Sequence, residues 1–128
     1  MMIERLQPAS TFAIPGISAA TRTGNLLFVS GQVPLDHAGL LVGIGDFRAQ
    51  AEQVFANLGA VLAAGNSGFD RLLKLTAYFS DINRDLASFR EVRDRHIPPG
   101  HAPASSAVQI SQLFHPDAWL EVEAIALV

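Results

Sequence analysis

The sequence predicts an α+β domain in which two helices pack on one face of a mostly antiparallel or mixed β-sheet. Two stretches, after Asp46 and after Asn83, have apolar residues at helical spacing, and the chain around them has the apolar runs and alternation of strands. The length of 128 residues is close to the commonest size of one domain, and no repeat or long linker divides residues 1–128. We therefore expect a single domain.

The first predicted strand covers residues 26–29, an unbroken apolar run that we interpret as buried on both faces. The Ser-Gly-Gln sequence at 30–32, with Pro34 after it, predicts that this strand ends in a turn. Residues 17–22 are joined to it through Gly24 and Asn25, a pair typical of tight turns. We expect these two segments to form a hairpin.

The first helix is predicted to begin after Asp46, a good N-cap residue, and to end at Gly65. Between them, one apolar stripe recurs every three or four residues, as in a helix that packs on a core. It consists of Phe47, Ala51, Val54, Phe55, Leu58, Val61 and Leu62.

Alternation predicts a half-buried strand over residues 73–80, with Leu73, Leu75, Ala77 and Phe79 on its apolar face. A second helix follows, capped by Asn83 or Asp85 and stopped by Pro-Pro-Gly at 98–100. Its predicted apolar stripe contains Leu86, Phe89, Val92 and His96 or Ile97.

Two further strands are predicted, one around Val108 and Ile110 and one over residues 120–128, where Glu121 and Glu123 lie opposite the apolar face. The predicted order is strand, strand, helix, strand, helix, strand, strand. With both helices on one face of the sheet, something outside the chain must cover the other face.

Composition indicates a self-associating protein. Hydrophobic residues make up 49% of the chain and charged residues 16%, against roughly 25% charged in an average domain. A surface with so few charges predicts that part of it is hidden against another copy. The net charge of −3 and the scattered basic residues argue against nucleic acid or a membrane as a partner.

Several kinds of site are excluded or disfavoured. The chain has no cysteine, which excludes disulfides and thiolate chemistry. His37, His96, His101 and His115 lack the spacing of metal ligands, so we expect no metal site. We also expect no membrane span and no signal peptide, and hence a cytoplasmic protein.

Four short sequence motifs occur together in the chain. They are Leu-Phe-Val-Ser-Gly-Gln-Val-Pro at 27–34, Gln50 with Asn-Leu at 57–58, Pro-Ala at 103–104, and Glu-Val-Glu-Ala-Ile-Ala at 121–126. In this combination the chain resembles the RidA (YjgF-like) family over nearly its whole length. The resemblance implies a chorismate-mutase-like fold and a homotrimer with ligand clefts between neighbouring subunits. Such an assembly would cover the free face of the sheet.

Enzymes of this family hydrolyse 2-imino or enamine acids to 2-keto acids and ammonia without a metal or cofactor. This chemistry needs a grip on the substrate carboxylate and a carboxylate that positions water. The resemblance implies that Ser30 and Gly31 bind the ligand and that Glu121 is the catalytic carboxylate. Without it, Ser30 and Gly31 could equally serve turn geometry alone, and Glu121 could be a solvated charge.

Four further positions implied in the cleft depart from the enzymatic pattern. Ser105 replaces the arginine that would hold the substrate carboxylate, and Ala107 replaces a frequent cysteine. Ile17 occupies a usually aromatic position, and Arg90 occupies one that is usually asparagine. Arg90 is either an ordinary surface residue or an alternative anion contact.

The sequence leaves three functions open. The first is a RidA-like protein whose inter-subunit cleft binds a small metabolite, with a carboxylate as one candidate, and whose imine deaminase activity is lost or altered. The second is an active imine or enamine deaminase that holds its substrate through Arg90 or main-chain donors. The third is a ribonuclease or translation inhibitor, against which the acidic balance argues. Loss of the arginine at Ser105 favours the first.

Overall fold

A computed structural model of the chain describes residues 2–128, which form six strands and two helices. A short 3-10 turn, Phe69–Arg71, leads into the fourth strand. The predicted order of elements is confirmed, with one strand added before it. The elements are β1 (Glu4–Leu6), β2 (Ala20–Thr23), β3 (Leu26–Gln32), α1 (Phe47–Ala64), β4 (Leu72–Phe79), α2 (Ile82–His96), β5 (Ala104–Gln109) and β6 (Leu120–Leu127).

All six strands belong to one mixed sheet in the order β1-β2-β3-β6-β4-β5. The pair β4–β5 is parallel and is connected through α2, whereas the other neighbours are antiparallel. The last strand of the chain, β6, therefore lies in the interior of the sheet between β3 and β4. Both helices pack on one face, so the predicted α+β architecture is confirmed.

Helix α1 forms as the sequence predicts. The Asp46 side chain accepts a hydrogen bond of 3.1 Å from the Ala49 N–H and so caps the first turn. At the other end, the Gly65 N–H bonds the carbonyls of the last turn. Every member of the predicted apolar stripe is buried, because this side of α1 packs on β3 and β6.

The aromatic side chain of Phe55 is the centre of the contact between the helices. It is fully buried, and its ring lies 5.9 Å from Phe89, 6.1 Å from Phe69 and 5.2 Å from the His96 ring, measured between centroids. His96 thus uses its flat ring as part of the apolar stripe of α2, while its Nε2 lies 3.1 Å from Glu52 at the surface.

Helix α2 begins before the predicted caps, and the prediction of Asn83 or Asp85 as the N-cap is wrong. Asp81 has the extended backbone of an N-cap and accepts a hydrogen bond from the Arg84 N–H. Asp85 is instead buried in the first turn and is paired with Arg84 at 2.8 Å. The Arg84 guanidinium lies 3.8 Å from the ring centroid of Trp119, so the pair is held against an aromatic face.

Two strand predictions need correction, and one strand was not predicted. Phe28 is 42% exposed, because its neighbours on β3 point to the helices and it therefore points away, so β3 is not buried on both faces. Leu73 is 45% exposed, since a bulge between Leu72 and Lys74 places Leu72 in the core instead. The short strand β1 pairs with β2 and has no alternation that would predict it.

The sheet face opposite the helices remains partly apolar. It carries Phe28 on β3 and its cross-strand partner Ile125 on β6, and at the edge of the sheet it carries Val108 on β5. β5 is exposed along its whole length. The chain itself leaves this face open, as the element order predicts.

Candidate functional site

A cavity of about 410 Å³ lies where the end of β3 and the start of β6 meet the loop between β1 and β2. Among the described residues that line it, Glu121 is the one ionisable side chain. The lining comprises Gln7, Thr11, Phe12, Ile14, Ile17, Ala19, Ser30, Gly31, Gln32, Val33, Leu35, Asn57, Phe114 and Glu121.

A β-bulge at Ser30 and Gly31 shapes the floor of this cavity. Val29 pairs with Ala124 and Gln32 pairs with Val122, so two residues of β3 face a single position of β6. The turn predicted after residue 29 is therefore a bulge within a strand that continues to Gln32. Such bulges bend a strand and change the direction in which its side chains point.

Ser30 fastens the loop before β2 to this bulge. Its main-chain N–H donates to the Ala19 carbonyl at 2.9 Å, and its hydroxyl donates to the Ser18 carbonyl at 2.6 Å. The hydroxyl is therefore used in the described structure as a structural donor, and no base is hydrogen-bonded to it that would make it a nucleophile.

The lack of a side chain at Gly31 leaves space for the Glu121 carboxylate. A methyl group added at Gly31 would lie 2.5 Å from Oε2 of Glu121 and 2.7 Å from its carboxyl carbon. Both distances are too short for non-bonded atoms, so any larger residue at position 31 must displace the Glu121 side chain. The absence of a side chain at Gly31 thus determines where the carboxylate sits.

We predict that Gly31→Ala moves the Glu121 carboxylate while the fold survives, because the displaced atoms are the end of a flexible side chain. The free energy of unfolding should fall by about 1 kcal/mol, measured by urea denaturation. In a Glu121→Ala background the same change should cost almost nothing, since no carboxylate is in the way. An equal loss of stability in both backgrounds would show that the contact is not the cause.

Burial raises the pKa of Glu121, and the nearby negative charge of Glu123 raises it further. Glu123 accepts a hydrogen bond from the Tyr78 hydroxyl of β4. That hydrogen bond to Glu123 is the main reason that the pKa of Tyr78 is also raised, with burial and the charges of Glu123 and Glu121 contributing less. A carboxyl group with a raised pKa can exchange protons closer to neutral pH than an ordinary glutamate.

Amide side chains hold the remaining wall of the cavity in place. Asn57 of α1 donates to the carbonyls of Val33 at 3.0 Å and Leu35 at 2.9 Å, and Gln32 donates to the Ser30 carbonyl at 2.9 Å. These bonds fix the chain immediately after β3 against α1. The part of the cavity near the helix is therefore preorganised.

The structure brings four of the predicted site residues together. Ile17, Ser30, Gly31 and Glu121 all line the cavity of 410 Å³. The hydrogen bond from the Ser30 hydroxyl to the Ser18 carbonyl holds the loop that carries Ile17 against β3.

The other three predicted residues lie elsewhere in the chain. Arg90 is exposed on α2, and Ala107 is exposed on the edge strand β5. Ser105, also on β5, lines a second cavity of about 460 Å³ between this strand and the end of α2. A role for these residues beside Glu121 requires a second copy of the chain and stays a prediction.

Several lining residues were not predicted from the sequence, chiefly Phe12, Ile14 and Phe114. All three are in loops, where no periodic pattern marks the direction of a side chain. Their partial exposure, between 37% and 56%, is the signal that the structure adds. Large apolar side chains left at the rim of a cavity are typical of a ligand site.

The described residues contain no group of three or more histidine, aspartate or glutamate side chains placed to hold a metal ion. Within residues 2–128, no helix is both long and apolar enough to cross a bilayer.

Comparison with known proteins gives a consistent result. Residues 7–128 match the family model described as Endoribonuclease L-PSP. A RutC family protein of Pyrococcus horikoshii, PH0854, is 37% identical over 109 residues, which cover 85% of this chain and 84% of that protein. The 2-iminobutanoate/2-iminopropanoate deaminase of Rattus norvegicus is 31% identical over 115 residues, which cover 90% and 82%.

Solved structures agree with the sequence matches. The crystal structure of E. coli TdcF with bound serine has a TM-score of 0.84 to this chain at 29% identity, and the match covers 97% of each chain. A TM-score of this size over nearly all residues shows that the two chains share one fold.

Proposed function

Because the chain belongs to the Endoribonuclease L-PSP (YjgF/RidA) family, we propose that it binds a small metabolite beside Glu121 and has lost most imine deaminase activity. The observations that carry this proposal are the cavity beside Glu121, which is lined by apolar and uncharged polar residues, and the serine at position 105. The family resemblance read from the sequence is confirmed; the loss of activity is our inference.

Hydrolysis of an imino acid requires two functional groups in a site. A positioned carboxylate must orient water toward the imine carbon, and Glu121 is suited to this by its place and its raised pKa. A donor, best a bidentate arginine, must hold the substrate carboxylate. Ser105 stands where the resemblance places that arginine, and a serine hydroxyl does not supply its charge or its fork of donors.

We also propose that the site is completed in a homotrimer, as the resemblance implies, with clefts between neighbouring subunits. The apolar residues on the open sheet face, Phe28, Ile125 and Val108, support a buried interface there. In such an assembly β5 of one subunit, with Ser105 and Ala107, would approach the cavity of the next.

The protein should run as a trimer at micromolar concentration in size exclusion coupled to light scattering. Phe28→Lys should shift the measured mass toward that of the monomer, because it places charges on the apolar face. Arg71→Lys, a conservative change at the surface, should leave the trimer intact. A monomeric wild-type protein would remove both the trimer and the inter-subunit cleft.

Active imine or enamine hydrolysis is the second candidate. The rat relative, named 2-iminobutanoate/2-iminopropanoate deaminase, and the raised pKa of Glu121 favour it. In this case Arg90 of another subunit or main-chain N–H groups would hold the substrate. The rate of the wild-type protein separates the two candidates.

A ribonuclease or translation-inhibiting activity has the weakest support, although the family model carries the word endoribonuclease. The net charge is −3 and the nine basic residues are dispersed. We predict that binding to single-stranded RNA is weak, unselective and lost at moderate salt, as measured by fluorescence anisotropy. Binding that resists salt, or RNA cleavage that disappears in Glu121→Ala, would overturn this prediction.

The proposed site uses no cofactor, and the expected cytoplasmic location remains a prediction.

A thermal-shift screen of small keto, hydroxy and amino compounds tests whether the protein binds a small metabolite, because a ligand that binds the folded state raises the midpoint of unfolding. The shift should be lost in Glu121→Ala. A screen without any Glu121-dependent shift would count against a metabolite site.

A further inference from the structure

We propose that the cavity selects a ligand with an apolar body and a protonated amino group, and that it disfavours a free carboxylate. This inference rests on the proposed function, because it assumes that the cavity is a small-molecule site. It adds the charge and the shape of the molecule that the site accepts.

The first argument concerns charge. Glu121 is the only ionisable side chain among the described residues of the lining, and no ion pair of the described residues includes it. Its pKa is raised by burial and by Glu123, whereas a nearby cation would lower it. The carboxylate is therefore a half-buried negative charge without a partner, and an ammonium group would supply one. A second carboxylate would be repelled.

The second argument concerns hydrogen bonds. The Ser30 hydroxyl and the amide groups of Gln32, Asn57 and Gln7 all donate to carbonyl or hydroxyl oxygens of the protein itself. A ligand carboxylate needs several such donors to replace its water. The carboxylate oxygens of Glu121, in contrast, receive no side-chain hydrogen bond from the described residues. The available side-chain groups are mainly acceptors, which suit the N–H groups of an amine.

The third argument concerns the walls. Phe12, Ile14, Ile17 and Phe114 surround the cavity and are each at least 37% exposed in the single chain. Covering these side chains with a hydrocarbon body would remove apolar surface from water. A cavity of about 410 Å³ suits a small molecule of a few carbon atoms or more.

A second copy of the chain would add no positive charge to the cavity through the predicted cleft residues on β5. Ser105 and Ala107 are both uncharged, so β5 of a neighbour would add no cation through them. Arg90 is the one predicted cleft residue with a positive charge, and the experiment below includes it.

The test compares three probes with the same four-carbon body, which are butylamine, butanoate and 1-butanol. Each is titrated into the full chain at neutral pH, and binding is followed by the amide NMR shifts of residues around Gly31 and Glu121. Butylamine should bind saturably and at least about tenfold more tightly than butanoate, as expected for one charge-assisted contact. Glu121→Gln, which keeps the shape but removes the charge, should abolish this preference. Glu4→Gln, an exposed residue outside the cavity, should not.

The other outcomes are equally informative. If butanoate binds as tightly as butylamine, or if Glu121→Gln leaves the preference for butylamine unchanged, the inferred selectivity is wrong while the small-molecule site stands. If butanoate binds and Arg90→Ala abolishes its binding, the neighbour supplies the cation and the inference is likewise wrong. If none of the three probes shifts the amides around the cavity, both the inference and the proposed metabolite site are wrong.

Discussion

The Ser105→Arg variant should hydrolyse 2-aminoacrylate or a 2-imino acid about a hundredfold faster than the wild-type protein, a difference of about 2.7 kcal/mol in activation free energy. An arginine at position 105 would give a substrate carboxylate a bidentate, charge-assisted grip, worth about 1.5–3 kcal/mol for each hydrogen bond. We expect partial recovery only, because Ile17 and Ala107 also depart from the enzymatic pattern and Arg90 would repel the new charge.

In the assay, an amino acid oxidase generates the imine, and a trapping reagent reacts with the imine that has not been hydrolysed. Faster hydrolysis therefore leaves less trapped product. Ser111→Arg is the matched control, because Ser111 is exposed in the loop after β5, lines neither cavity and brings the same charge. If Ser105→Arg and Ser111→Arg form stable trimers with equal rates, position 105 is not part of the cleft in the way that the resemblance implies.

The second large effect concerns stability. The Gln50→Leu variant should lower the free energy of unfolding by about 3 kcal/mol or more. The Gln50 side chain is fully buried, donates to the carbonyls of Gly43 at 3.0 Å and Asp117 at 2.8 Å, and accepts from the Trp119 N–H at 2.8 Å. Leucine would fill the space and leave these main-chain groups without partners.

Urea denaturation at one fixed protein concentration measures this effect, since the proposed trimer would make apparent stability depend on concentration. Gln112→Leu is the control, because Gln112 is exposed in the loop before β6. A loss of less than about 1 kcal/mol for Gln50→Leu would mean that water replaces the lost bonds.

Periodic burial explains which parts of the fold could be predicted. Helix α1 and strand β6 pack on the core along a regular stripe, so their apolar spacing is visible in the sequence. The cap of α2 was misplaced because Asp81, Asn83 and Asp85 all suit an N-cap, and backbone geometry decides between them. The side chain of Phe28 is exposed because it points to the sheet face opposite the helices, and that of Leu73 because of a bulge in β4. Neither feature is visible in an apolar run of the sequence.

The candidate site was predictable in its central residues and not in its walls. Ser30, Gly31 and Glu121 belong to sequence motifs that are typical of the family, and all three line the same cavity in the structure. Phe12 and Phe114 come from loops whose paths are set by tertiary contacts, so no local pattern identifies them. Whether Ser105 and Arg90 face Glu121 depends on a second subunit, which neither spacing nor the single chain determines.

The most direct test of the central claim is the rate at which the wild-type protein hydrolyses a 2-imino acid, measured beside the rat 2-iminobutanoate/2-iminopropanoate deaminase under identical conditions. We expect a kcat/KM at least a few hundredfold below that of the rat enzyme, because Ser105 stands where the resemblance implies an arginine that holds the substrate carboxylate. The rate should change little in Arg90→Ala. A wild-type rate equal to that of the rat enzyme, abolished by Arg90→Ala, would contradict the account and establish an active deaminase with a different anchor.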